Sequence, residues 1–439
     1  MINRILPPLN DAHFKELFRG SGIAFIFKIA GLLLSYIFTL LITRMYGADT
    51  MGLFALSITI LTILAMLGRL GFDTALVRFV AEYSSQGRMD LVREVYIKAL
   101  RIVLPFCFLL SVLFFFSSSY VADNIFHKNH LSPYLKIISL VIVPMAMIFM
   151  NSEGLRGLRK IKEHAFLQDI SILLFAAVML TFSFFIAQDN HAPLIAYIIS
   201  IAGVAGLSVL LWIKHANISS FSNGNNLKSV NLLTVSLPML LTSSLFLVMW
   251  WTDTIMLGIF RTEGEVGIYS VALKIATLTS ITLFSINTIA APKFAEFYGK
   301  GDMNSLEKII KQSSKLIFWS SLIIILCIFL FPSSILGLFG ASFKAGIYAL
   351  LFLSFGQFIN AASGSVGWIL QMTGRQKACQ NITLLAAAMN IVLNALLIPK
   401  YGINGAAVAS MICTIFWNLT SVLYIRSHFH ITTLYLPGL

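Results

Sequence analysis

Apolar residues in this chain run in unbroken stretches of roughly twenty, the length a helix needs to cross the hydrocarbon core of a bilayer. The stretches fall at 22–43, 51–72, 97–118, 134–152, 166–187, 193–213, 232–257, 266–290, 311–331, 345–370, 379–398 and 403–425. They are continuous rather than alternating, so they predict helices and not the strands of a membrane barrel. The polar segments between them are short and leave no room for an inserted soluble domain. The expected fold is an all-α integral membrane protein of about twelve transmembrane helices.

Composition agrees with that pattern. Of 439 residues, 58% are hydrophobic and 11% charged, against about 25% charged in a soluble domain. The net charge of +13 sits in loops facing anionic lipid, and no basic stretch suggests nucleic acid. If the N-terminus is cytoplasmic, only Arg44, Lys128, Lys136, Arg261, Lys344 and Lys400 fall on the opposite side. Lys28, Arg69 and Lys274 lie inside spans, and the remaining Lys and Arg face the cytoplasm. This bias places both termini inside. The four cysteines lie in apolar runs with no metal or pairing pattern. The first run is too long for a signal h-region and is expected to be retained.

The two halves are related. Gly47-Ala48-Asp49-Thr50-Met51-Gly52-Leu53-Phe54 matches Thr262-Glu263-Gly264-Glu265-Val266-Gly267-Ile268-Tyr269, and Ala81-Glu82-Tyr83 matches Ala295-Glu296-Phe297. The loop at Arg159-Lys160-Ile161-Lys162 falls on Gly374-Arg375-Gln376-Lys377 at the same shift. Six helices return the chain to the side where it began, so the repeats run parallel. The expected domains are an N-lobe at 1–215 with an amphipathic N-terminal segment, a cytoplasmic linker at 216–231 around Ser219–Asn226, and a C-lobe at 232–439. Two such lobes are expected to enclose a central cavity.

Ionisable groups inside spans cost about 2.5–3.5 kcal/mol each on insertion scales and are candidate site residues for that reason. Lys28 sits in the first span, where it either snorkels to the interface or faces a cavity as a phosphate-binding cation. Arg69 precedes Asp73 by one helical turn, so the two are expected to pair, with Asp73 as a second acid of interest. The guanidinium of a paired arginine still matches phosphate oxygens. Asp253 and Lys274 lie in neighbouring spans, as a structural salt bridge or as a switchable pair in which Asp253 takes H+ or Na+. No other cofactor is expected, and no nucleotide loop or catalytic triad is evident. Pro105, Pro144 and Pro238 are candidate kinks, and Gly203, Gly206, Gly364 and Gly367 candidate points of close helix approach. The charged stretches at 82–101 and 296–315, and Leu9–Arg19, resemble amphipathic helices on the membrane surface.

Thr43-Arg44-Met45-Tyr46-Gly47 with Met51–Leu56, Arg78-Phe79-Val80-Ala81-Glu82-Tyr83, Asp253–Leu257, Val266–Lys274 and Gly405-Ala406-Ala407-Val408-Ala409 together resemble polysaccharide biosynthesis proteins. These belong to the multidrug/oligosaccharidyl-lipid/polysaccharide exporter superfamily. The resemblance implies a V-shaped exporter fold. It implies a flippase in the bacterial inner membrane that moves an undecaprenyl-diphosphate-linked oligosaccharide, such as an O-antigen or lipopolysaccharide unit, to the periplasmic leaflet. Membrane lipid and the pathway's polymerase and chain-length proteins are the implied partners. Fixed cations at Lys28, Arg69 and Lys274 suit a diphosphate cargo. A cation-coupled multidrug exporter, a lipid II-type flippase and a polysaccharide polymerase or ligase are the alternatives. The first span has Lys28 and no acid, which counts against the drug exporter. The short outward loops count against the polymerase.

Overall fold

The computed structural model describes residues 12–186, 189–216 and 229–435, which contain no strand. In chain order the helices are α1 (Ala12–Gly68), α2 (Phe72–Ser85), α3 (Met89–Tyr120), α4 (Ser132–Ser139), α5 (Ile142–Gly157), α6 (Ile161–Ala165), α7 (Ile172–Ile186), α8 (Ala192–Ala216), α9 (Ser229–Phe260), α10 (Glu263–Ala276), α11 (Ile281–Gly299), α12 (Met303–Leu330), α13 (Pro332–Gly337), α14 (Ile347–Ser363), α15 (Val366–Met372) and α16 (Gln376–Phe429). Phe108, Leu113 and Phe116 on α3 and Leu316, Ile323 and Leu330 on α12 point out of the protein. Such faces are stable only against lipid tails.

Breaks in these helices follow the backbone chemistry. α1 and α16 each hold two spans joined at a glycine, Gly47 (φ 82°) and Gly402 (φ 56°), where a side chain is disfavoured. The span predicted at 134–152 is α4 and α5 bent by 45° at Leu140–Val141. Pro144 lies in the first turn of α5, where its missing N–H costs nothing. The span at 266–290 is interrupted by a 3₁₀ turn at Thr277–Ser280. The span at 345–370 stops at Gly364 (φ 74°) and restarts as α15. Gly364 is both a break and a point of close approach, since a Cβ there would collide with Ser314 Oγ of α12, whereas nothing lies within 4 Å of a Cβ placed on Gly203 or Gly206. Gly367 does permit a close approach, with the Trp417 ring 3.0 Å from where its Cβ would lie.

The charged stretches are also corrected. Residues 82–101 are the end of α2, a turn, and the first turns of α3, with Glu94 and Lys98 paired inside the protein at 2.7 Å. Residues 296–315 are likewise the end of α11 and the start of α12. Of the proposed N-terminal amphipathic segment, 9–11 lie outside the described residues, as do the side chains at 12–19 and of Pro238. Most of the expected linker, 217–228, lies outside them too.

Contacts divide the chain into two compact units. The first holds the chain up to Leu41, Ile60–Asn124 and Lys128–Leu241. In it α5 packs on α2, α3 and α8. Gly157 lets α5 approach Val80 of α2, and Gly154 lies under the Trp212 ring. Tyr96 donates to Asn151 Oδ1, whose Nδ2 donates to Ser208 Oγ at 2.8 Å. This buried network ties α3, α5 and α8, each bond contributing about 0.6–2 kcal/mol in such a setting.

The second unit holds Ile42–Thr59, Ile125–His127 and Thr242–Leu439. Here α14 packs on α10, α12 and α16. Phe294, Leu306, Ile310, Ile369, Leu370 and Ile425 form a buried cluster at one end. The repeat seen in the sequence becomes a reciprocal contact. A Cβ on Gly52 would lie 1.8 Å from Glu263 O, and one on Gly267 would lie 2.1 Å from Ala48 O. Positions 48 and 52 are the repeat equivalents of 263 and 267, so the copies cross as a pseudo-symmetric pair of bare glycine faces. Nearby, Thr262 and Glu265 form a capping box on α10. Arg261 donates to the carbonyls of Ile398 and Pro399, left open by the break at Gly402. Arg44 donates to the carbonyls of Gly337 and Leu338 at the end of α13.

Candidate functional site

Asp253 on α9 is 2% exposed, and four side chains from α10 and the two parts of α16 converge on its carboxylate. Oδ2 accepts from Tyr269 Oη of α10 at 2.5 Å and from Ser410 Oγ of α16. Oδ1 accepts from Asn394 Nδ2 at 2.6 Å and Asn390 Nδ2 at 3.2 Å. Asn390 and Asn394 are one turn apart in the part of α16 before Gly402, and Ser410 lies in the part after it. All four donors are uncharged. Asn394 also donates to Asn390 Oδ1 at 3.1 Å, while its own Oδ1 is buried with no hydrogen-bond partner. A buried carboxylate ringed by neutral oxygens and amides, with one carbonyl oxygen unused, has the donor set of a hard monovalent cation or a proton.

Lys274 lies half-buried in the last turn of α10, where a cation complements the C-terminal end of the helix dipole. The four hydrogen bonds described on the Asp253 carboxylate come from uncharged groups.

In the first unit, Lys28 and Arg69 are each held by an acid. Lys28 Nζ lies 2.9 Å from Asp169 Oδ1, with the lysine side chain 62% exposed. Asp169 stands in a π-helical turn, Phe166–Ser171, ahead of α7. Gly31 admits α1 there, since a Cβ on it would lie 2.4 Å from Asp169 O. Arg69 Nε donates to Asp73 Oδ2 at 3.0 Å, as the spacing predicts, although Leu70 and Gly71 (φ 52° and 76°) break the helix between them. The Arg69 guanidinium also lies 4.1 Å over the Phe149 ring.

The sequence reading missed Asp169, although an acid three residues into a predicted span was a signal in plain view. It also missed Tyr269, Asn390, Asn394 and Ser410. An asparagine pair at i and i+4 in an apolar run was the available sign, because polar side chains at membrane depth need partners.

Beside Asp253 the second unit contains a cavity of about 360 Å³, within the range of small-molecule sites. Asn287, Gln357, Asn360, Trp368, Trp417 and Asn418 contribute to its wall, and the Gly364–Gly367 break opens onto it. Irregular backbone at membrane depth is tolerated where it lines such a space.

The described residues form a multi-pass helical membrane fold with a buried, hydrogen-bonded acid beside a polar-walled cavity. Comparison with known proteins identifies the family. The profile of the polysaccharide biosynthesis protein family matches residues 17–298, and that of the MatE family matches 238–396. The chain belongs to the polysaccharide biosynthesis protein family. It is 24% identical over 387 residues to an uncharacterized membrane protein of Methanocaldococcus jannaschii, covering 82% of this chain and 74% of that one. It is 28% identical over 164 residues to a probable low-salt glycan biosynthesis flippase of Haloferax volcanii, covering 36% of this chain and 34% of that protein. Among solved structures, the lipid II flippase MurJ in an inward closed conformation superposes with TM-score 0.74 at 14% identity, over 93% of this chain and 87% of MurJ.

Proposed function

We propose that this protein is a flippase. In this reading it carries an undecaprenyl-diphosphate-linked oligosaccharide, an O-antigen or related surface polysaccharide unit, from the cytoplasmic to the periplasmic leaflet of a bacterial inner membrane. Its termini are cytoplasmic, and the repeat-related lobes at 1–215 and 232–439 alternate access. The observation that carries the coupled mechanism is the Asp253 site. One buried carboxylate joins α9, α10 and both parts of α16 through four neutral donors. Its charge is costly at membrane depth unless a proton or Na+ offsets it. Neutralising it weakens its pull on Asn390, Asn394, Tyr269 and Ser410, and so biases how the two parts of α16 sit about Gly402.

The cationic residues have a complementary role. Lys28, largely exposed beside Asp169, can exchange that carboxylate for a phosphate oxygen, whereas the more enclosed Arg69–Asp73 pair sets local charge. Lys274 supplies a further fixed cation. Polymerase and chain-length proteins would take the product. In proteoliposomes holding undecaprenyl-diphosphate-linked oligosaccharide, an inward-directed Na+ or proton gradient should drive outward movement of the sugar. Asp253→Asn should stop the gradient-driven part, and equal transport with and without a gradient overturns the coupling.

A further inference from the structure

The segment that follows α16 is packed into the protein. The chain leaves that helix at His430, in the left-handed conformation (φ 57°), and 431–435 continue as a strap without helical structure. Its first side chains alternate. Ile431 and Thr433 are 3% and 1% exposed, while Thr432 between them is open to the outside. Ile431 joins the buried cluster of Phe294, Leu306, Ile310, Ile369 and Leu370, and Leu434 packs against it. Tyr435 sets its ring edge-on to Phe318 of α12, with 5.4 Å between centroids.

The strap meets the chain where a helix is interrupted. α14 stops at Gly364, and its last carbonyls have no partner within the helix. The strap supplies one, since Tyr435 N–H donates to Ala362 O at 3.0 Å. Thr433 O lies 3.4 Å from where a Cβ on Gly364 would be, and Ser314 Oγ of α12 crowds the same point. The break is thus held between α12 and the strap. α15, which follows the break, has two faces. Gly367 and Trp368 line the cavity beside Asp253, whereas Ile369 and Leu370 lie in the cluster with Ile431. The strap therefore packs behind the stretch of backbone that forms part of the cavity wall.

The polar groups along this seam work against the contact. Ser314 Oγ, Ser365 Oγ and Thr433 Oγ1 are buried with no hydrogen-bond partner. A hydroxyl left in that state costs stability, and water satisfies it once the seam opens. Apolar packing and one backbone bond hold the strap down, and the unpaired hydroxyls oppose them. A segment balanced in this way opens at less cost than unfolding the unit that carries it.

We propose that 431–435 form a clasp on the break between α14 and α15. Seated, the clasp fixes Gly364–Trp368 of the cavity wall; released, it frees them to move. It is a restraint built into the second unit, and it does not rest on the flippase reading.

Hydrogen–deuterium exchange of the purified full-length protein in detergent, read by mass spectrometry, tests the clasp. Two substitutions push it in opposite directions. Thr433→Asp places a charge at a buried position and should expel the strap. Thr433→Val keeps the shape and removes the unpaired hydroxyl, so it should seat the strap more firmly. Relative to wild type, amides in 361–372 and 431–435 should exchange about ten-fold faster in Thr433→Asp and about three-fold slower in Thr433→Val, with 263–276 of α10 unchanged in both. Faster exchange at 431–435 with none at 361–372 overturns the clasp. So does an equal rise across α10 in Thr433→Asp, which is loss of the unit's core rather than local release. Exchange in Thr433→Val at or above the wild-type rate overturns it as well. No cargo or gradient enters the measurement, so its outcome is separate from whether the protein flips lipid.

Discussion

Replacing Asp253 by asparagine separates its charge from its shape. The carboxylate accepts two amide hydrogens at Oδ1 and two hydroxyl hydrogens at Oδ2. An asparagine oxygen can keep the two amides, while its Nδ2 donates to the hydroxyls of Tyr269 and Ser410, which rotate to accept. The variant should therefore fold, at a cost of about 1–2 kcal/mol for the lost charge-assisted bonds. Alanine is different. It leaves Asn390 Nδ2 and Asn394 Nδ2 facing a void, at about 1–3 kcal/mol for each buried donor, or roughly 2–6 kcal/mol together.

The assay is thermal melting of purified protein against rising Na+ at constant ionic strength, with choline as the balancing cation, repeated against pH. A ligand bound only by the folded state stabilises it by about 1.4 kcal/mol at ten times its Kd. Wild-type protein should gain that much with Na+ or with added protons, and Asp253→Asn should gain none. If Asp253→Asn melts near wild type yet still shows the full cation-dependent rise, Asp253 is not the coupling site.

Other substitutions probe the rest of the account. Lys28→Ala should lower export with unchanged protein level, and Lys28→Arg should restore part of it; quantitative blotting of surface polysaccharide against membrane protein reads both. Asp73→Asn should destabilise the first unit by about 1–3 kcal/mol, since it strips the charged acceptor from a buried arginine, measured as a fall in melting temperature. Gly267→Val forces a side chain into the Ala48 carbonyl and should cost about 1–3 kcal/mol as overpacking; a melting temperature equal to wild type would show that the glycine contact does not form.

The spans were legible because a bilayer imposes one length and one kind of residue on every crossing. Met51–Phe54 and Val266–Tyr269 share spacing and residue type, and the structure brings the two segments together at Gly52 and Gly267. The interruptions at Leu70–Gly71, Leu140–Val141 and Gly364 were not legible, because a broken helix and a straight one have the same hydropathy. Of the candidate site, Asp253 and the Arg69–Asp73 pair could be read from charge and an i, i+4 spacing. The partners of Asp253 could not. Asn390, Asn394 and Ser410 lie far along the chain, and their neutral side chains carry no charge to flag them.

The most direct test of the central claim is a flipping assay in proteoliposomes. Fluorescent undecaprenyl-diphosphate-linked oligosaccharide is placed in both leaflets, and the fraction that a membrane-impermeant glycosidase can reach is followed in time. The account predicts that wild-type protein makes nearly all of the lipid accessible under a cation gradient. It predicts that Asp253→Asn and empty liposomes stop near the half already in the outer leaflet. Wild-type vesicles that behave as empty ones do, with folded protein present in the membrane and a gradient of either Na+ or protons imposed, would contradict it.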